Sequence, residues 1–185
     1  MNTIVDGILH ITDFEGYDHM LFLLALSAPF GIKDIKKLLL LITAFTIGHS
    51  ITLILAGLQI ISFSSNFVEL VISISIAITA LLNFFAKPGK LSLFRYAVVF
   101  GFGLIHGMGF SSFFKMMISD NENYLGQLLL FNLGVELGQI IILGVILLIS
   151  MLALKWFKVK SKMWNFGISI VALIISGYLI FEKIG

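Results

Sequence analysis

Long apolar runs broken by short charged clusters dominate the pattern of this chain. Reading from one cluster to the next delimits six runs, roughly 16–31, 38–61, 66–86, 95–117, 124–154 and 164–182. Apolar runs beyond about 18 residues call for membrane helices. The first run is short for a full crossing, and the fifth is long enough to tilt or to project from the bilayer. Ahead of them, "NTIVDGILHITDFE" alternates with helical period: Ile4, Val5, Ile8 and Ile11 share an apolar face, Asp6, His10 and Asp13 a polar one. That pattern predicts a short helix lying in the outer interface, whose plainest reading is a solvated polar stripe. The expected fold is all-α: a polytopic membrane protein, a six-span transmembrane helix bundle with a short N-terminal interfacial helix, residues 1–185 forming one integral membrane domain.

Composition agrees. Only 12% of the residues are charged and 59% are hydrophobic, with mean hydropathy +1.08; a soluble domain carries about a quarter charged residues. The formal net charge of +2 says nothing for nucleic acid, because the basic residues are dispersed among short loops. The surroundings implied are the lipid bilayer. There is no cysteine, so neither disulfides nor thiolate ligands are available. "MNTIVDGILH" lacks the basic region and small-residue cleavage site of a secretory signal, so either the first span directs its own insertion or the chain is already mature.

The loops are asymmetric. Lys33, Lys36 and Lys37 follow the first span, Lys87, Lys90 and Arg95 surround the third-to-fourth turn, and Lys155, Lys158, Lys160 and Lys162 follow the fifth span. The alternate loops hold Lys115, and the C-terminal end holds Lys183. The positive-inside rule makes the first side cytoplasmic and turns both termini outward, in a multi-pass protein of a bacterial inner (plasma) membrane.

Against that background the polar groups inside the spans need an explanation. Asp18, His19, His49, Glu69, His106 and Glu136 all fall within them. An ionisable side chain at mid-bilayer costs on the order of 2.5–3.5 kcal/mol, so the set left unpaired would cost about 10 kcal/mol or more. Counting about 1.5 Å per residue puts His49, His106 and Glu136 each about 17–18 Å from the outer ends of their spans. Asp18, His19 and Glu69 lie nearer the outside. Each span carries one polar stripe: Asn132, Glu136 and Gln139; Thr46, His49 and Ser50, extended by Thr43; Glu69 and Ser73, with Asn83 beyond. Stripes of this kind face a common interior cavity. Gly101, Gly103, Gly107 and Gly109 surround His106, and Gly134 and Gly138 flank Glu136; they predict close helix approach or a local break. Taken singly, each polar residue also has a bland role as interhelical glue or a snorkelling side chain. All four histidines of the chain nevertheless fall in or beside these clusters.

Imidazoles with carboxylates and no thiolate suit nickel, cobalt or zinc, as substrate or bound ligand. Copper(I) stays open, because Met20 and Met108 adjoin the histidine motifs, and so does proton relay. A metal-bound imidazole needs a partner on its second nitrogen, and Ser50, Thr46, Asn132 and Gln139 are the candidates.

At these residues the chain resembles the HupE/UreJ family of membrane proteins, associated with hydrogenase and urease maturation. The matching stretches are "GYDHMLFLLAL", "LITAFTIGHSITL", "VELVISISI", "FGFGLIHGMGF" and "LLLFNLGVELGQ", in family order over roughly residues 7–140. The resemblance implies a six-span bundle that moves nickel or a related divalent metal toward the cytoplasm, with metalloenzyme maturation proteins as partners. It also implies metal-handling positions at His10, Asp18 and His19 in an outer entrance, and at His49, His106 and Glu136 further in. Two other classes remain: an intramembrane zinc hydrolase built on His19, His49 and His106 with Asp18, Glu136 or Ser50 assisting, and a non-transporting metal-binding accessory protein.

Overall fold

A computed structural model describes residues 2–13, 16–58, 60–61, 63–87, 89–118 and 123–184, with the side chains of residues 57, 110–118 and 124 outside that set. Seven α-helices account for the described chain: α1 (Thr3–Thr12), α2 (Tyr17–Ser27), α3 (Ile35–Gly57), α4 (Ser65–Phe84), α5 (Leu93–Ile118), α6 (Tyr124–Lys155) and α7 (Ser161–Ile184). Four segments are long and apolar enough to cross a membrane: Ile32–Ala56, Ser65–Phe84, Leu125–Lys155 and Ser161–Ile184. Thr3–Thr12 and Leu93–Gly109 are shorter apolar helices. The protein is an all-α, polytopic membrane protein.

Hydrogen bonds and glycine contacts fix the direction of each helix. The Thr3 hydroxyl donates to Gln127 Oε1 at 2.7 Å. Further along, Gly7 meets Phe131 and Gly134, and Ile8 and Ile11 meet Gly138, so α1 runs parallel to α6. Likewise Tyr96 Oη donates to the Leu40 carbonyl at 2.7 Å, while Gly103 meets Phe45 and Gly107 meets His49. α3 and α5 are therefore parallel as well. α4 and α7 are antiparallel, because Glu69 pairs with Lys183 whereas Asn83 pairs with Asn165 and Ser169. One end of the bundle gathers the lysine-rich turns after α2, α4 and α6. The other, here called the terminal end, holds the start of α1 and the end of α7.

Glycine explains why the two parallel pairs close so tightly. In an apolar solvent helices gain little from burying apolar surface and associate by packing, which favours small residues where backbones touch. A Cβ on Gly103 would fall on the Phe45 carbonyl, and one on Gly48 would fall on the Phe100 carbonyl. In the other pair, a Cβ on Gly7 would strike the Phe131 carbonyl and one on Gly134 the Ile4 carbonyl. Gly103 and Gly107 beside His106, and Gly134 and Gly138 beside Glu136, thus serve close approach, whereas Gly101 meets no neighbour; α5 and α6 run through them unbroken.

The chain breaks elsewhere, and this revises the expected first span. α2 has 11 residues and ends at Ser27, reaching about 16 Å, too short to cross alone. α1 does not lie apart on a surface either: Thr3, Gly7 and Ile11 are buried, a face rotated from the one the apolar pattern marked, because Gly7 seats on α6. α1 and α2 run in the same direction and are joined through Asp13 and Gly16, where the backbone leaves helical geometry. Together they form one interrupted helix.

Candidate metal centre

That interruption builds the site. In a continuous helix His10 and His19, nine residues apart, would stand about 13.5 Å apart along the axis on opposite faces. With the break their ring centroids lie 4.8 Å apart. His49 comes from α3 with its ring 5.9 Å from His10 and 6.5 Å from His19. His106 comes from α5 with its ring 5.1 Å from His19. The four histidines thus form one cluster where α1, α2, α3 and α5 meet. One ligand atom from each of His10, His19 and His49 can be chosen so that all lie within 4.8 Å of one another. Imidazole nitrogens around a tetrahedral ion at roughly 2.0–2.1 Å stand about 3.4 Å apart, so a small inward shift of the rings closes the triad.

Hydrogen bonds orient two of the rings for ligation. Asp18 Oδ1 accepts from the His19 backbone N–H at 2.8 Å and from His19 Nδ1 at 3.0 Å. His106 Nδ1 donates to the Phe102 carbonyl at 2.8 Å, the residue one turn earlier. A carboxylate or a carbonyl can only accept, so the proton sits on Nδ1 in both rings and Nε2 carries the lone pair. Both Nε2 atoms are buried without a hydrogen bond among the described residues. A buried, unsatisfied nitrogen is costly unless something binds it. His49 is fully buried, and Asn132 on α6 is the polar side chain that faces it.

Aromatic rings close the cluster on one side. Phe22, Phe45 and Phe102 each lie one turn from His19, His49 and His106 in the direction of the lysine-rich end. Phe22 packs on Phe45 at 5.1 Å and on Phe102 at 6.1 Å, and His106 rests against Phe22 and Phe45 at 5.3 and 5.0 Å. Opposite this layer, at the terminal end, a cavity of about 330 Å³ is lined by Asp18, Glu69, Ser73, Glu182 and Lys183, among others. Asp18 is therefore both the acceptor for His19 and part of this cavity wall.

The remaining candidates take other places. Glu69 is not among the histidines; it forms an ion pair with Lys183 and accepts from Ser65 at 2.7 Å, on the cavity wall. Glu136 accepts from the Thr43 hydroxyl at 2.6 Å. Thr43 precedes His49 by six residues, about 9 Å along α3, which puts Glu136 toward the lysine-rich end rather than level with the histidines. The equal depth counted along the chain fails here because α3 ends at Gly57, short of the 61 at which its span was expected to end. Thr46 reaches Gln139 Oε1 at 2.9 Å, and Ser50 donates to its own helix at the Thr46 carbonyl at 2.6 Å. Neither Thr46, Ser50 nor Gln139 holds a histidine ring. Met20 lines an apolar groove with Leu21, Leu24 and Ile142, to which no histidine contributes, and Met108 packs against the hydrophobic core. Two residues that sequence reasoning passed over carry the geometry: the Phe102 carbonyl, which no side-chain pattern reveals, and Phe45, which reads as ordinary core.

Residues 1–182 match the family described as "HupE / UreJ protein". No curated protein and no solved structure matches the chain.

Proposed function

Because the chain belongs to the HupE/UreJ family, whose membrane proteins are associated with nickel and cobalt uptake, we propose that it is a permease for a divalent transition metal and that the four-histidine cluster is its binding site. The observation that carries this reading is the pair of oriented, unsatisfied Nε2 atoms on His19 and His106 beside His10 and His49. All-imidazole ligation without thiolate suits nickel, cobalt and zinc. Met20 lines an apolar groove to which no histidine contributes, so its thioether gives no support to copper(I).

The path follows from the charges. A hydrated cation enters the cavity at the terminal end, where Asp18, Glu69 and Glu182 supply carboxylate oxygens. At Asp18 it meets His19 and exchanges water for imidazole nitrogen. Phe22, Phe45 and Phe102 block a direct descent. The onward route is the polar seam between α3 and α6, from Asn132 to the Thr46–Gln139 and Thr43–Glu136 pairs. If the lysine-rich end is cytoplasmic, inward movement of a dication is favoured by about 4.6 kcal/mol per 100 mV, twice the single-charge value. No coupling ion is then required. A hydrolase on the same residues fits less well: Asp18 is engaged by His19, Ser50 by its own helix and Glu136 by Thr43.

The test is uptake of nickel, cobalt and zinc into proteoliposomes, with metal analysis of the purified protein. Exchangeable binding with saturable uptake is expected. Stoichiometric zinc that resists chelation, with no uptake, would overturn the reading. The orientation is checked in intact cells, where Lys36→Cys should resist an impermeant thiol reagent.

A further inference from the structure

Away from the histidines, the lysine-rich end holds a second polar constellation that the transport path does not use. Its centre is Arg95 on the first turn of α5, only 8% exposed. The guanidinium donates to Asn83 Oδ1 and lies over the Phe30 ring at 5.3 Å. Asn83 in turn donates to the Ala25 carbonyl at 2.7 Å and to Ser169 Oγ at 3.2 Å, while its own carbonyl accepts from Asn165 at 2.9 Å. The guanidinium is thus held by α2, α4 and α7 together. It is aimed, and it is not neutralised: among the described residues no carboxylate pairs with Arg95, Lys87 or Lys90. Asp34, which touches the same turn at Gly89, is taken by Lys37 at 2.6 Å.

These cations share a cavity. About 360 Å³ is lined by Lys87, Lys90, Ser92 and Arg95 together with Leu82, Phe85 and Phe94. Phe85 is 85% exposed and Phe94 65% exposed. A fixed guanidinium with two exposed ammonium groups matches the oxygens of a phosphate, Arg through planar paired donors and Lys as point charges. At the end of the bundle where α4 stops and α5 begins, such a basic pocket with apolar lining suits a headgroup and the start of its acyl chains.

We propose that the α4–α5 turn is a phosphate-group site, with Arg95 fixing the phosphate, Lys87 and Lys90 closing over it, and Phe85 and Phe94 bounding the apolar side. A phosphate at this position comes either from an anionic phospholipid headgroup or from a free phosphate, and the two are separable. The purified full-length protein is placed in nanodiscs of phosphatidylcholine with or without phosphatidylglycerol, and separately in neutral detergent with or without inorganic phosphate. Thermal stability is read in each, and retained lipid is read by native mass spectrometry. Phosphatidylglycerol is expected to raise the melting temperature and to be retained. Lys87→Gln with Lys90→Gln should weaken that binding about fivefold for each lysine removed. The control is Lys158→Gln with Lys160→Gln, which changes net charge equally on the α6–α7 turn and should leave binding unaltered. A response to inorganic phosphate that the Lys87/Lys90 variant loses identifies the free anion as the source. No response to either ligand, or equal loss in both double variants, overturns the site.

Discussion

His19 donates from Nδ1 to the Asp18 carboxylate at 3.0 Å, and that bond decides which nitrogen of His19 is left to bind a metal. A carboxylate behind a histidine also raises its basicity and holds its ring. Asp18→Asn keeps the size of the side chain and removes the charge. It should lower nickel or zinc affinity by roughly 10–100-fold, the usual cost of losing such a partner, while the protein still inserts. Competition titration against a chelating dye measures it. Unchanged affinity would mean that Asp18 serves the cavity alone.

Protons and metal compete for the same lone pairs. Ligation needs neutral imidazole, so binding releases protons and weakens as the solution is acidified through the imidazole range. The sign is fixed: affinity rises with pH and levels off once the rings are neutral in the free protein. Calorimetry in buffers of different ionisation enthalpy should count released protons only on the acidic side. A flat profile would remove the histidines from the site.

His10 and Glu136 should separate binding from movement. His10 was expected at an outer entrance, yet its ring stands 4.8 Å from His19 and 5.9 Å from His49. His10→Ala should therefore cost as much affinity as His49→Ala. Glu136 lies farther along, bound by Thr43. Glu136→Gln should leave equilibrium affinity within about twofold and slow uptake at least tenfold, roughly 1.4 kcal/mol in barrier. Equal loss of affinity in both variants would place Glu136 in the site after all.

Two neighbouring glycines make a matched pair for the packing argument. A Cβ on Gly101 meets nothing within 4 Å, whereas one on Gly103 meets the Phe45 carbonyl. Gly101→Ala should be neutral or stabilising by up to about 1 kcal/mol, from helix propensity. Gly103→Ala must push α3 and α5 apart and should cost about 1–3 kcal/mol. Because Phe45 neighbours the cluster, the second variant should also weaken metal binding. Thermal unfolding in detergent, with and without metal, reads both.

Much of this protein was determined by its sequence alone. A chain this apolar leaves polar groups no solvent but each other, so polar stripes such as Thr46–His49–Ser50 and Asn132–Glu136–Gln139 could be read as inward-facing from spacing. The lysine bias distinguished the two ends for the same electrostatic reason. Periodicity names the face of a helix, however, and not the neighbour it meets. Only the tertiary structure paired Glu69 with Lys183, more than a hundred residues away, and drew Glu136 to Thr43. Only it seated Gly7 on α6, because that contact depends on two backbones approaching where neither has a side chain. And the site itself hangs on a break between α1 and α2. Helical spacing puts His10 and His19 on opposite faces, and a few non-helical dihedrals near Asp13 and Gly16 turn them toward one another.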